Sequence, residues 1–123
     1  MIILQNSGIP IYQQIANRLK DEILSGKWND GSFLPSVRGL AQELKISVIT
    51  TMKAYEILQE EGYITAMQGK GYVVNAKDSE MIMEQQRRKM ENALLEAIHT
   101  AKQVGVSKEE LLQVAETLWM TEE

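Results

Sequence analysis

At 123 residues, with 44% hydrophobic and 24% charged side chains, the chain has room for one compact domain plus a short helical appendage, in the proportions of a soluble globular protein. It has no cysteine and one histidine, which excludes a disulfide framework and a thiolate metal centre and leaves no clustered ligands for a metal sensor. The net charge of −4 is unevenly spread: residues 1–76 hold seven basic and seven acidic side chains, whereas 77–123 hold six basic against ten acidic, so the whole excess lies in the second part.

The apolar start, Met1-Ile2-Ile3-Leu4, is too short for a signal peptide and has no basic flank. No later stretch is long enough to span a bilayer. The expectation is a cytoplasmic chain with no membrane partner.

The first helix is expected from Pro10 to about Leu24. Proline suits a first turn, where its missing N–H costs nothing. Ile11, Ile15, Leu19 and Ile23 form an apolar stripe, with Tyr12 and Ala16 beside it. Gly26 offers a left-handed cap, and Asn29-Asp30-Gly31 reads as a turn. An extended stretch then ends at Leu34-Pro35-Ser36. Ser36 caps a short second helix that turns Val37, Leu40, Ala41 and Leu44 inward and ends near Lys45. Ser47 caps a third, running to about Glu61, with Thr51, Ala54, Tyr55 and Leu58 inward. So short a link between the two forces a steep crossing, the helix-turn-helix arrangement.

Gly62 closes the third helix. Residues 63–67 and 72–75 have strand composition, joined by Gln68-Gly69-Lys70-Gly71, whose glycines supply the positive φ of a hairpin tip. The fold class is therefore mainly α with a small β wing, a winged helix-turn-helix over residues 1–76.

A tail of two helices, residues 77–123, follows. The fourth helix begins at Asp78 or Ser79. Its Met90, Leu94, Ala97, Ala101 and Val104 form a heptad-like seam, widened by Ala93 and Ile98, and Gly105 ends it. Ser107 and Glu110 have capping-box spacing, with Val106 placed to staple onto Leu111. The fifth helix carries Leu111, Val114, Ala115 and Leu118, widened by Leu112 and Trp119. Two such helices enclose too little core alone, so their apolar faces call for a partner, best supplied by a second copy; folding back onto the winged helix is the alternative.

The chemistry concentrates on the third helix. With its core face inward, Val48, Ile49, Met52, Lys53 and Glu56 point outward. A free protein gains little from exposing three apolar residues together. A DNA major groove would explain them, through thymine methyl groups, with Ser47 and Thr50 bonding phosphates or bases; packing against the wing or a partner chain is the other reading. Arg38 is ill placed for helix stability in the first turn of the second helix, and it fits a phosphate or a guanine edge unless Glu43 holds it. The tip Gln68-Gly69-Lys70-Gly71 lets backbone and one cation approach another surface, or is only a tight turn.

Taken together, Pro10-Ile11-Tyr12-Gln13-Gln14-Ile15, Ile23-Leu24-Ser25-Gly26, Leu34-Pro35-Ser36-Val37-Arg38, Leu40-Ala41, Lys53-Ala54-Tyr55, Leu58, Glu61-Gly62-Tyr63-Ile64 and Gly69-Lys70-Gly71 resemble the DNA-binding domain of the GntR family of regulators. The resemblance covers about half the chain. It implies DNA contact through Ser36, Arg38, Ser47, Thr50, Lys53, Gly69 and Lys70, to which the outward reading adds Val48, Ile49, Gln68 and Gly71. The short tail is similar to that of the YtrA subfamily, which implies homodimerisation through Met90, Leu94, Ala97, Ile98, Ala101, Val104, Leu111, Val114, Leu118 and Trp119, a palindromic operator, and a repressor's role.

Some positions depart from the family pattern. Gly39 replaces an acidic residue, Lys45 a glycine, and Thr51 an aliphatic residue, while Val48 and Ile49 stand where polar or basic side chains are common.

An enzyme is not expected. His99 reads as a packing or surface residue, and no nucleophile motif or phosphate-binding glycine loop is present. No cofactor is expected. Two alternatives stay open: a winged helix used for protein–protein contact, and a sensor whose helical tail lodges an unknown small molecule among methionines and Trp119.

Overall fold

The computed structural model describes residues 3–4 and 7–122, so the first two residues of the apolar start lie outside it. The chain divides into two compact units, Met1–Met83 and Glu84–Glu123.

The first unit contains α1 (Ile11–Leu24), α2 (Val37–Leu44), α3 (Val48–Glu60), β1 (Ile64–Met67) and β2 (Gly71–Val74), and ends with the first turn of α4 (Glu80–Val104). Helix α3 is its centre: α1, α2 and β1 all pack on it. The expected stripes are the core. Ile15, Leu19 and Ile23 of α1, Leu40 of α2, and Ala54, Tyr55 and Leu58 of α3 are buried together with Tyr63, Ile64 and Val74. Thr51 is buried too, where an aliphatic residue is usual. Its hydroxyl donates to Ser47 O at 3.1 Å, so the polar atom is satisfied inside the helix.

Tyr55 joins three elements. Its hydroxyl donates to Pro35 O at 2.7 Å, beside the start of α2. Its ring meets that of Tyr72 on β2 edge to face, with centroids 5.1 Å apart. Burial pushes the phenol pKa up, with Tyr72 and Glu43 adding to the effect, so the group stays a neutral donor.

Strands β1 and β2 pair antiparallel, with Ile64 opposite Val74 and Met67 opposite Gly71. The extended stretch before α2 runs along the outer edge of β2, which sequence patterning did not resolve as pairing. Leu34 N–H donates to Tyr72 O at 3.0 Å and Val74 N–H to Ser32 O at 2.7 Å, with Phe33 bridged to Val73. This covers an edge that would otherwise be open and anchors the wing to the entrance of α2.

Helices α1, α2 and α3 end alike. In each, a residue one or two places past the helix end (Gly26, Lys45, Gly62) takes a positive φ, and paired N–H donors close the last carbonyls: Lys27 to Glu22 O and Gly26 to Ile23 O, Ile46 to Ala41 O and Lys45 to Gln42 O, Tyr63 to Leu58 O and Gly62 to Gln59 O.

The first compact unit runs on past residue 76 to Met83. Ile82 is fully buried in the core of the first unit, so the opening turn of α4 belongs there rather than to the tail. Ser79 Oγ accepts from Ile82 N–H at 3.3 Å to start that turn.

Glu22, nearly buried on α1, accepts from Trp28 Nε1 at 2.9 Å and pairs with Lys27 at 3.2 Å and Arg18 at 3.3 Å. Burial alone would raise its pKa. The indole hydrogen bond, Lys27 and Arg18 together outweigh burial, and the net value falls below the usual carboxyl value. A group with a lowered folded pKa contributes stability above its unfolded pKa and loses it as the pH falls through the folded one. Glu22→Gln is therefore expected to lower Tm at neutral pH, with the gap from the parent closing as the pH drops below about 4, in a set of melts across the acid range.

In the second unit, α4 runs on to Val104, Gly105 turns with φ 77°, and α5 spans Lys108–Thr121. Ser107 Oγ accepts from Glu110 N–H at 3.1 Å, the expected cap. No residue of α5 is buried, and Ala101 is the only buried residue of this unit among those described. No described helix is long and apolar enough to cross a membrane.

Candidate nucleic-acid interface

Two hydroxyls set the geometry at the helix starts. Ser36 Oγ accepts from Gly39 N–H at 2.9 Å, and a β-carbon at position 39 would lie 2.9 Å from that oxygen, so the unexpected glycine leaves the cap room. Ser47 Oγ accepts from Thr50 N–H at 3.0 Å and donates to Thr50 Oγ1 at 2.8 Å. Ser47 has thereby used its proton within the helix start, whereas Thr50 keeps its own for an external acceptor. Neither α2 nor α3 has an acidic residue in its first turn, so both positive dipole ends are left uncompensated.

The charges sort themselves. On α1 and its flank, Arg18 and Lys27 pair with Glu22, and Lys20 pairs with Glu61 at 2.5 Å. Among the described residues of the helix-turn-helix and wing, Arg38, Lys45 and Lys70 have no ion pair. Arg38 is exposed and Glu43 does not hold it. Lys53, expected on the interface, lies over the Tyr12 ring at 4.4 Å, an interaction worth about 0.5–1 kcal/mol at an exposed site. It would have to leave that ring to reach a phosphate.

The outward face of α3 is apolar where it matters. Ile49 is 79% exposed and Met52 44%. Val48 departs from the expectation: it is only half-exposed. A helical side chain leans toward the preceding turn, which at the first position carries Val48 back over the link to α2. Gln68, Gly69, Lys70 and Gly71 are all exposed at the wing tip, with φ of 75° at Gly69 and 106° at Gly71.

One further feature escaped sequence reasoning, and one departure noted there acquires a backbone meaning. Phe33, on the extended stretch beside β2, is half-exposed close to Gly71. Lys45 sits in the helix-turn-helix link with φ 57° and ψ 48°, the one non-glycine residue with positive φ among those described. Left-handed backbone costs a side-chain-bearing residue about 1–2 kcal/mol, offset in part by glycine's larger unfolded entropy. Lys45→Gly is expected to raise stability by about 0.5–1 kcal/mol in denaturant melts while removing one cation from the face.

In the second unit, Leu94, Ala97, Ile98, Ala101, Leu111 and Leu118 line an apolar groove of about 540 Å³ between α4 and α5, with Val114 also on its wall. Met90, Val104 and Trp119 are exposed as well, Trp119 at 83%.

Comparison with known proteins gives consistent findings. The family described as "Bacterial regulatory proteins, gntR family" matches residues 11–74. The chain is 33% identical over 105 residues to the HTH-type transcriptional repressor YtrA of Bacillus subtilis (strain 168), covering 85% of this chain and 81% of that protein. It is 41% identical over 63 residues to the regulator YdcR of Escherichia coli (strain K12), covering 51% of this chain but 14% of that longer protein. Among solved structures, a transcriptional regulator from Oenococcus oeni superposes with a TM-score of 0.79 at 28% identity over 97% of both chains. YtrA from Sulfolobus acidocaldarius, a GntR-family transcription factor, gives 0.64 at 29% identity over 99% of this chain and 98% of that one.

Proposed function

Because the chain belongs to the GntR family of bacterial regulatory proteins, whose members are DNA-binding transcriptional regulators, we propose that it is a homodimeric repressor that reads a palindromic operator. Residues 1–76 hold the DNA-reading elements, and the tail after them supplies the pairing surface. The observation that carries the DNA reading is the charge sorting. Cations on the α1 side are neutralised by acids, while Arg38 in α2, Lys45 in the link to α3 and Lys70 at the wing tip are exposed and unpaired. Arg38 serves a phosphate or guanine edge, Thr50 and the capped start of α3 sit against the backbone, and the tip 68–71 approaches beside it.

The homodimer is supported by the tail. Its groove is apolar, and its remaining large side chains are exposed. Such a surface fits another apolar helix face better than a polar effector. Repression is carried over from the B. subtilis relative, which bears that name.

Selection of bound sequences from random duplexes at fixed salt, with light scattering on the same sample, tests the palindromic operator and the homodimer; the direction of regulation is read from a reporter gene placed behind the selected site. The expected result is an enriched palindrome with half-sites about one helical turn apart, bound by a two-chain species. Single chains at micromolar concentration, with no duplex preferred over heparin, contradict the proposal.

A further inference from the structure

Outward on the first two turns of α3 stand Ile49, Met52 and Lys53, with Thr50 half-exposed beside them. Lys53 is engaged by Tyr12, and Ser47 has committed its hydroxyl proton to Thr50. This stretch therefore carries no Asn or Gln to pair with adenine and no free guanidinium to pair with guanine, the bidentate contacts by which helices usually distinguish bases. What remains exposed is apolar. Ile49 and Met52 are three residues apart, so they lie one above the other on a single face, opposite the buried Thr51, Ala54, Tyr55 and Leu58.

A major groove displays one apolar group, the 5-methyl of thymine. We propose that Ile49 and Met52 are the specificity-determining residues of α3 and that they read pyrimidine 5-methyl groups. This rests on the DNA-binding reading above. Duplex DNA is the occupant that suits the surroundings: free cations at Arg38, Lys45 and Lys70, and two helix starts without an acid in the first turn. The first exposed acid within α3 itself, Glu56, lies a further turn along the helix. Hydrogen bonds from Arg38 and Thr50 would then place the helix, and methyl contacts choose the site.

The test starts from the highest-affinity duplex recovered from a random library. Each thymine is replaced in turn by deoxyuridine, by cytosine and by 5-methylcytosine, the last two with guanine opposite. At the positions beneath α3, loss of a methyl is expected to weaken binding about fourfold. 5-Methylcytosine should bind better than cytosine there. Ile49→Ala or Met52→Ala should abolish the thymine–uracil difference at one such position each, with Tm and chain stoichiometry unchanged, since both side chains are exposed. Thymine and uracil interchangeable at every position overturn the proposal, as does a methyl-sensitive position that neither substitution affects. Failure of DNA binding itself shows earlier and separately, as a library in which no duplex is enriched.

Discussion

Arg38→Ala is expected to weaken binding to the selected duplex by about 30-fold to about 10⁴-fold at fixed salt, while leaving Tm and chain stoichiometry unchanged. The range follows from about 1–3 kcal/mol per bidentate base contact, counted twice in a two-fold complex. Stability should be untouched because Arg38 is exposed and has no ion pair to lose. Its position in the first turn of α2, where the dipole disfavours a cation, even predicts a slight gain. Fluorescence anisotropy on the parent site and on single-base variants separates two roles. A guanine contact makes the loss unequal across sequences. A phosphate contact makes it uniform and reduces the salt dependence by about one unit per contact. Lys70→Ala at the wing tip should follow the second pattern. A variant that retains full affinity removes Arg38 from the interface.

Leu118→Asp is expected to convert a two-chain species into single chains and to cost about 10²–10⁴ in operator affinity, because two linked half-site contacts become one. Leu118 lines the tail groove yet is 60% exposed in the single chain. A carboxylate there costs little in the separate chain. In a closed apolar seam it would be buried without a partner, at a cost of several kcal/mol. Since α5 has no buried residue, the winged helix should melt as before. Light scattering and near-UV circular dichroism report the two properties independently. A Leu118→Asp protein that remains paired at micromolar concentration places the seam elsewhere on the tail.

Much of the fold around the candidate interface was legible because its parts are local. A serine before an apolar-periodic run starts a helix wherever the chain lies, and Ser36, Ser47 and Ser107 all do so by accepting an N–H three residues on. Glycines at 26, 62 and 105 stop helices for an equally local reason. The inward stripes of α1, α2 and α3 follow from the helical period alone, down to Thr51, whose burial depends on a hydrogen bond within its own turn.

Side chains whose partners lie far along the chain were read less well. Nothing near Lys53 in sequence shows a partner for its charge; the structure sets it over Tyr12, 41 residues earlier. Ser32-Phe33-Leu34 is too short to show alternation, and it forms an isolated bridge to β2 only because β2 presents an open edge. Ile82, flanked by Met81 and Met83 in the first turn of α4, falls within the expected tail helix, yet it packs in the core of the first unit.

The amino-acid order by itself determined where the helices begin and end, which faces they bury, and that a glycine-tipped ribbon follows the third, because capping, periodicity and turn chemistry act over a few residues. Only the tertiary structure decided which cations stay free, which extended segment bridges to β2, and which core takes in the opening turn of α4. Those outcomes depend on contacts between segments distant in sequence, and no local pattern encodes their distances.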